Sequence, residues 1–136
     1  MRPTRPQLLG ALALLGVGCA PLRVQQEVSP PPGRAAQVAG GRQLALLQCA
    51  GCHGAALEGR YGPALSGPHF QRIWRGRTAA DLRAFIAASM PLGRGGTLTD
   101  AQTLELVAYL LSANGLPGDT PALTPEGLER VTLFGP

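Results

Sequence analysis

The sequence is short of the side chains that fill a protein centre: only six of its 136 residues are aromatic, namely Tyr61, Phe70, Trp74, Phe85, Tyr109 and Phe134. Nowhere does a run of β-branched and aromatic residues alternate with polar ones, which argues against a sheet-built domain. The apolar run Leu8–Gly18 covers 11 residues, about half of the roughly 20 that a bilayer-spanning helix needs. Charge is sparse too, at 15% of residues, and lysine is absent; all 12 basic residues are arginine, set against 8 acidic ones for a formal +4. Setting aside Arg2 and Arg5, which precede the apolar run, leaves a formal +2, too weak and too dispersed for a nucleic-acid-binding face. Glycine and proline, by contrast, are plentiful, with 19 and 13 copies. Together they fall just under the share at which disorder becomes the default. Yet 45% of residues are hydrophobic, too many for a solvated disordered chain. The length fits one domain. That domain folds with few rings at its centre, so either its core is loose or a non-protein group occupies it.

The N-terminus is organised for export. Arg2 and Arg5 followed by Leu8–Gly18 match the basic and apolar regions of a signal peptide, giving residues 1–18 as signal. Cys19 follows small residues directly after that run, and the region resembles the lipobox of bacterial lipoproteins, although Gly16 stands where those usually carry Leu. The resemblance implies a lipidated Cys19 that anchors the protein to a membrane surface without a spanning helix. Cleavage by ordinary signal peptidase to a soluble product is the competing outcome. Residues 19–37 lack an apolar period and contain Ser29-Pro30-Pro31-Pro32-Gly33, a linker with a stiff polyproline centre. Residues 38–136 are expected to form the folded domain, with a tail from residue 116.

Chemistry concentrates in Cys49-Ala50-Gly51-Cys52-His53. On a helical turn the two sulfurs project from one face with His53 adjacent. Both thiols can then add to the vinyl groups of one haem while the imidazole reaches its iron, the pattern of c-type haem attachment. A structural zinc site needs four ligands, commonly two Cys/His pairs, and beyond these three only His69 remains after the leader. A thioredoxin-like motif wants alternating strands and helices around it. A plain Cys49–Cys52 disulfide leaves His53 and the thin core unexplained. One covalently attached haem c per chain is the expectation.

A second axial ligand is expected at Met90, the one methionine beyond the leader. Leu82, Phe85 and Ile86 recur at helical spacing behind a Thr78/Asp81 capping box, and Pro91 stops that helix. Met90 therefore emerges where the chain turns into a loop containing Gly93, Gly95 and Gly96. Core gap-filling is the alternative role for a methionine, and His69, in Pro68-His69-Phe70, is the runner-up ligand. Leu44, Leu47 and Gln48 precede the cysteine motif at helical spacing, and Gly40 and Gly41 let another backbone approach. A Thr99/Gln102 capping box opens a helix carrying Leu104, Val107, Ala108 and Leu111, which Asn114-Gly115 stops. Thr124-Pro125-Glu126 is a short helix start.

From about Gly40 to Leu123 the chain resembles the class I, monohaem cytochromes c. The likeness lies in Gly41, Cys49 to Gly54 as CAGCHG, Gly62-Pro63-Ala64-Leu65, Trp74, Met90-Pro91 and Ala108-Tyr109-Leu110. Shorter words, Phe70 to Trp74, Arg77-Thr78 and Tyr109 to Gly115, resemble cytochrome subunits of periplasmic dehydrogenases of the quinoprotein or sulfite type. The family often has an aromatic residue where Ala45 stands.

The resemblance implies an all-α fold wrapped around one haem. It implies Pro63 as the carbonyl holding the His53 imidazole, Trp74 beside the propionates, and His53 with Met90 as iron ligands. Arg72, Arg75 and Arg77 are candidates for neutralising the propionates or for a basic docking face. With both axial positions filled, the expected function is one-electron transfer at the periplasmic face of a membrane, as a carrier or as the subunit accepting electrons from a dehydrogenase, with an oxidase or another cytochrome as acceptor. The chain is then not an enzyme in itself. The alternative is a haem-based gas or redox sensor, or a haem enzyme, in which Met90 is displaceable.

Overall fold

The computed structural model describes residues 33–116 and 121–135, so the signal segment, Cys19 and most of the Pro-rich linker lie outside it. These residues form an all-α domain whose helices are α1 (Arg34–Gln48), α2 (Ala50–His53), α3 (Gly67–Trp74), α4 (Ala79–Ser89), α5 (Asp100–Ala113) and α6 (Pro125–Leu128). Among them there is no strand, only an isolated bridge between Thr78 and Thr132. No described helix is long and apolar enough to cross a membrane.

Both expected capping boxes form. Thr78 Oγ1 accepts from the Asp81 N–H and Thr99 Oγ1 from the Gln102 N–H, while the Asp81 and Gln102 side chains accept from the N–H groups of the two threonines. Each box satisfies two otherwise orphaned donors and sets where its helix begins. At the far end of α4, Met90 is extended, with φ −121° and ψ 149°, as a residue before proline should be.

The central packing is between α1 and α5, and it is very close. A Cβ built on Gly41 would overlap the Glu105 carbonyl and come within 2.8 Å of Tyr109 Cβ. Only glycine permits that backbone approach. Consequently the buried residues of α1 are Gly41 and Ala45, and Leu47, expected at core spacing, is exposed. On the α5 face Val107, Ala108 and Leu111 are buried as read, Leu104 is only half-buried at its edge, and Thr103, Leu106 and Leu110 join the buried set.

Helix α1 starts at Arg34, four residues ahead of the boundary expected at residue 38. The cause is a long-range pairing: Gln37 Nε2 donates to the Leu123 carbonyl (2.9 Å) and Leu123 N–H to Gln37 Oε1 (2.7 Å). The tail then runs back over the domain. Leu123, Leu128 and Leu133 are all buried, and the Leu133 carbonyl and N–H bond Gly76 and Arg77. Asn114 at the α5 C-terminus is a buried staple: its amide donates to the Leu65 and Leu110 carbonyls and accepts from the Gly67 N–H. It thereby ties α5 to the start of α3, an eight-residue helix that carries buried Phe70 and Trp74.

Candidate haem site

The cysteine motif lies where α1 ends. Cys49 caps α1, and α2 is one turn from Ala50 to His53. Cys49 is half-buried and Cys52 exposed, and both are free thiols. Burial, aided by the neighbouring Cys52, holds the Cys49 thiol above its ordinary pKa.

His53 is buried, and its orientation is tightly determined. Its Nδ1 lies 2.7 Å from the Pro63 carbonyl oxygen, and because a carbonyl only accepts, Nδ1 donates and Nε2 is the nitrogen not engaged by that bond. The loop bearing Pro63 is itself pinned, because the Gly62 N–H donates to the Cys52 carbonyl (2.8 Å) and the Gly62 carbonyl accepts from Arg60 N–H (3.1 Å). A Cβ on Gly62 would stand 2.7 Å from His53 Cε1 and 2.9 Å from Nδ1. Gly62 therefore lies flat against the imidazole in a space no side chain can share.

Cys49, Cys52, His53 and Met90 all open onto one cavity of 750 Å³, a volume within the range of cofactor sites. Its walls are mainly apolar, with Leu65, Phe70, Trp74, Leu82, Phe85 and Ile86 among them. Four of the six aromatics connect in a chain, Phe134 to Phe70 (6.1 Å), Phe70 to Trp74 (6.1 Å) and Trp74 to Phe85 (5.7 Å between centroids), and of these Phe70, Trp74 and Phe85 line the cavity. The Met90 loop is held to the cysteine segment by Arg94, whose Nη2 donates to Gln48 Oε1 at 3.0 Å. Among the described residues no three His, Cys, Asp or Glu side chains gather as a metal-ion cluster, unlike the zinc arrangement weighed above.

Residues 36–110 match the family described as cytochrome c oxidase, cbb3-type, subunit III. The chain belongs to this family of c-type cytochromes. The cytochrome is 36% identical to a thiosulfate dehydrogenase of Stutzerimonas stutzeri over 125 residues, 83% of this chain and 38% of that one. A thiosulfate dehydrogenase of Psychrobacter arcticus is 32% identical over 77 residues, 51% of this chain and 24% of that one. The cytochrome thus spans well under half the length of either relative. Among solved structures, the sulfane dehydrogenase SoxCD from Paracoccus pantotrophus superposes with a TM-score of 0.58 at 27% identity, covering 88% of this chain and 68% of that chain. The fold is that of class I cytochromes c, and the monohaem type with its likeness to dehydrogenase cytochrome subunits stands as the motifs implied.

The family's cofactor is haem c, and the residues present fit it. The cytochrome offers a mainly apolar slot lined by two thiols one turn apart, by an imidazole held through its Nδ1 and by the Met90 thioether. Of the three arginines considered for the propionates, only Arg77 lines the slot; it lies 5.4 Å from the centroid of the Trp74 ring. Arg72 and Arg75 are exposed on and just after α3. His69 is exposed on α3 and is not among the residues lining the slot. Pro63 places its carbonyl at His53 Nδ1, and Trp74 is buried and lines the slot. Ala45, where relatives often carry a ring, is buried and lines the slot. Sequence reasoning gave no role to Gly62, Gln48 or Arg94. Only the Gly62-Pro63 pair offered a local signal, as a turn next to a position where backbone comes close.

Proposed function

We propose that this cytochrome is a one-electron carrier or cytochrome subunit, with a single haem held by Cys49, Cys52, His53 and Met90. The observation that carries the reading is the His53 imidazole, fixed through Nδ1 by the Pro63 carbonyl in a slot shared with Met90. Haem, when bound, supplies an iron that gains and loses one electron.

The protein residues do the rest. Cys49 and Cys52 would hold the haem covalently, each S–H adding across one vinyl group to give a thioether. His53 offers Nε2 to iron, and its Nδ1–H donation to Pro63 fixes the tautomer and raises the basicity of the ligand. Met90 offers its thioether sulfur, which favours the reduced state and raises the potential. With His53 and Met90 both engaged by a bound haem, no open ligand position would remain for a substrate, and the chemistry supplied would be one-electron transfer. Leu82, Phe85 and Ile86 exclude water, and Arg77 meets the propionate charge.

The donor we propose is a dehydrogenase acting on an inorganic sulfur compound. Support comes from the names of both curated relatives and from the likeness to SoxCD. The domain is proposed to start near Arg34 and to work outside the cytoplasm, with residues 1–18 removed and Cys19 lipidated. The linker then lets the domain reach its partners while anchored.

Expression in a host that matures c-type cytochromes tests this. Intact mass should show one haem added, the oxidised protein should carry the weak far-red band of sulfur-to-iron ligation, and Met90→Ala should abolish that band while opening the reduced protein to carbon monoxide. Rapid carbon monoxide binding by the unaltered protein would point to the sensor or haem-enzyme reading. A mature N-terminus starting beyond Cys19 would end the lipid-anchor part.

A further inference from the structure

The loop after Met90 is held by hydrogen bonds more than by packing. From Leu92 to Thr97 every residue is exposed, so burial contributes little and the loop belongs to the easily opened end of the molecule. Most of its bonds tie it to itself or to α4. The Arg94 N–H donates to the Pro91 carbonyl (2.7 Å), the Arg94 carbonyl accepts from the Thr97 N–H (3.3 Å) and hydroxyl (2.8 Å), and the Gly96 N–H donates to the Ala87 carbonyl (2.8 Å). Gly95 lies against α4 as well, since a Cβ there would overlap the Ala88 carbonyl. These bonds travel with Met90, because α4 is the helix that Met90 caps. One bond does not: Arg94 Nη2 donates to Gln48 Oε1 at 3.0 Å, joining the loop to the last residue of α1, next to Cys49. Gln48 and Arg94 both line the slot that Cys49, Cys52, His53 and Met90 share. Among the described residues no other hydrogen bond links this loop to α1 or α2.

We propose that Arg94 and Gln48 form a latch across the slot that sets how readily Met90 gives way to an outside ligand. Both are positioning residues, acting through the loop that carries Met90. The latch rests on Met90 being the second axial ligand, as proposed above, and adds what keeps that ligand in place. The loop closed over the slot and the loop swung away are two states, and a bond made in only one of them shifts the balance by its own strength. Arg94 starts from a fixed backbone, because its N–H and carbonyl are both bonded. Its charged donor makes the bond to Gln48 stronger than a neutral one, while exposure to water keeps the effect modest. With the latch intact the cytochrome stays closed to added ligands; without it the chain shifts toward the behaviour of an open haem site.

The test titrates the oxidised, haem-loaded protein with imidazole, a competitor for Met90, while the far-red band reports the sulfur ligand. Gln48→Ala and Arg94→Ala should each tighten apparent imidazole binding about fivefold. The double variant should go no further than either alone, because both changes remove the same bond. Gln48→Glu keeps the acceptor and adds a charge, so it should bind imidazole more weakly than the unaltered protein. Arg83→Ala is the control: it removes an equal charge and the Asp100 pair at a residue that does not line the slot, and it should change nothing. Haem content is measured alongside; if Gln48→Ala loads poorly beside Cys49, Arg94→Ala and Gln48→Glu still decide. Unchanged imidazole binding in both alanine variants overturns the latch. So does an effect of Arg94→Ala without one of Gln48→Ala, since Arg94 would then act through its charge alone, and so do single effects that add in the double variant. Absence of the far-red band from the unaltered protein would instead refute Met90 ligation itself, and the latch with it.

Discussion

A single methyl group at Gly62 tests the site most sharply. Gly62 is not among the glycines with positive φ, so an alanine there meets no backbone penalty and any effect comes from the added carbon. That carbon would sit 2.7, 2.9 and 3.3 Å from His53 Cε1, Nδ1 and Nε2, where ordinary contacts are about 3.5 Å or more. Relief requires the ring or the loop to move by most of an ångström. The loop cannot yield freely, because the Gly62 N–H and carbonyl are both bonded. The ring cannot yield freely either, because its Nδ1 is held at 2.7 Å by the next residue's carbonyl. Overpacking of this kind costs about 1–3 kcal/mol, and a weakened His53–Pro63 bond adds about 1 kcal/mol.

Gly51→Ala is the matched control: it lies inside the cysteine motif, its Cβ would meet nothing within 4 Å, and its φ is also outside the positive range. Thermal denaturation of the oxidised holoprotein should therefore show Gly62→Ala less stable by about 2–4 kcal/mol, with a shifted reduction potential because the imidazole is reoriented. Gly51→Ala should be neutral or stabilised by up to about 1 kcal/mol. If Gly62→Ala kept the melting temperature, spectrum and potential of the unaltered protein, the claim that Gly62 holds His53 in place would be wrong.

Other outcomes are equally accessible. Thr99→Ala removes the acceptor at the start of α5 and should cost about 1 kcal/mol in denaturant unfolding; an unchanged midpoint would show that the box is not retained in solution. Leu133, in the tail, is fully buried against the domain, so Leu133→Ala should cost about 2–5 kcal/mol, whereas a loosely attached tail would tolerate it. The Asp81 carboxyl is held below the usual carboxylate range by the Thr78 N–H, then the Thr78 hydroxyl, with Arg77 adding to it. A depressed folded value means its contribution is complete above the ordinary value near pH 4 and is lost as pH falls through the lower folded value. Melting curves in acid should thus fall more steeply for the unaltered protein than for Asp81→Asn, and parallel curves would contradict this.

How far each feature could be read in advance follows its range along the chain. The cysteine motif, the two capping boxes and the proline stop after Met90 depend on residues a few positions apart, and they stand in the structure as read. Leu47 did not follow its helical spacing, because the Gly41 crossing brings α1 so close to α5 that small residues, not leucines, occupy the contact. Helix α3 left little periodic signal, since only Phe70 and Trp74 of its eight residues are buried. Among the arginines near Trp74 only the folded chain distinguishes Arg77, which faces the slot, from Arg72 and Arg75, which do not.

The sequence by itself determined which candidate groups are present and near each other along the chain: two thiols and an imidazole on one turn and a methionine at a proline stop, in a chain with few rings to fill its own centre. Tertiary structure decided where those few rings go. Phe70, Trp74 and Phe85 line the 750 Å³ slot and Phe134 packs on Phe70, and the tail that supplies Phe134 begins more than thirty residues after Phe85, the last of the other three. Contacts between segments so far apart in sequence leave no local pattern, because they form only when helix packing brings the segments together.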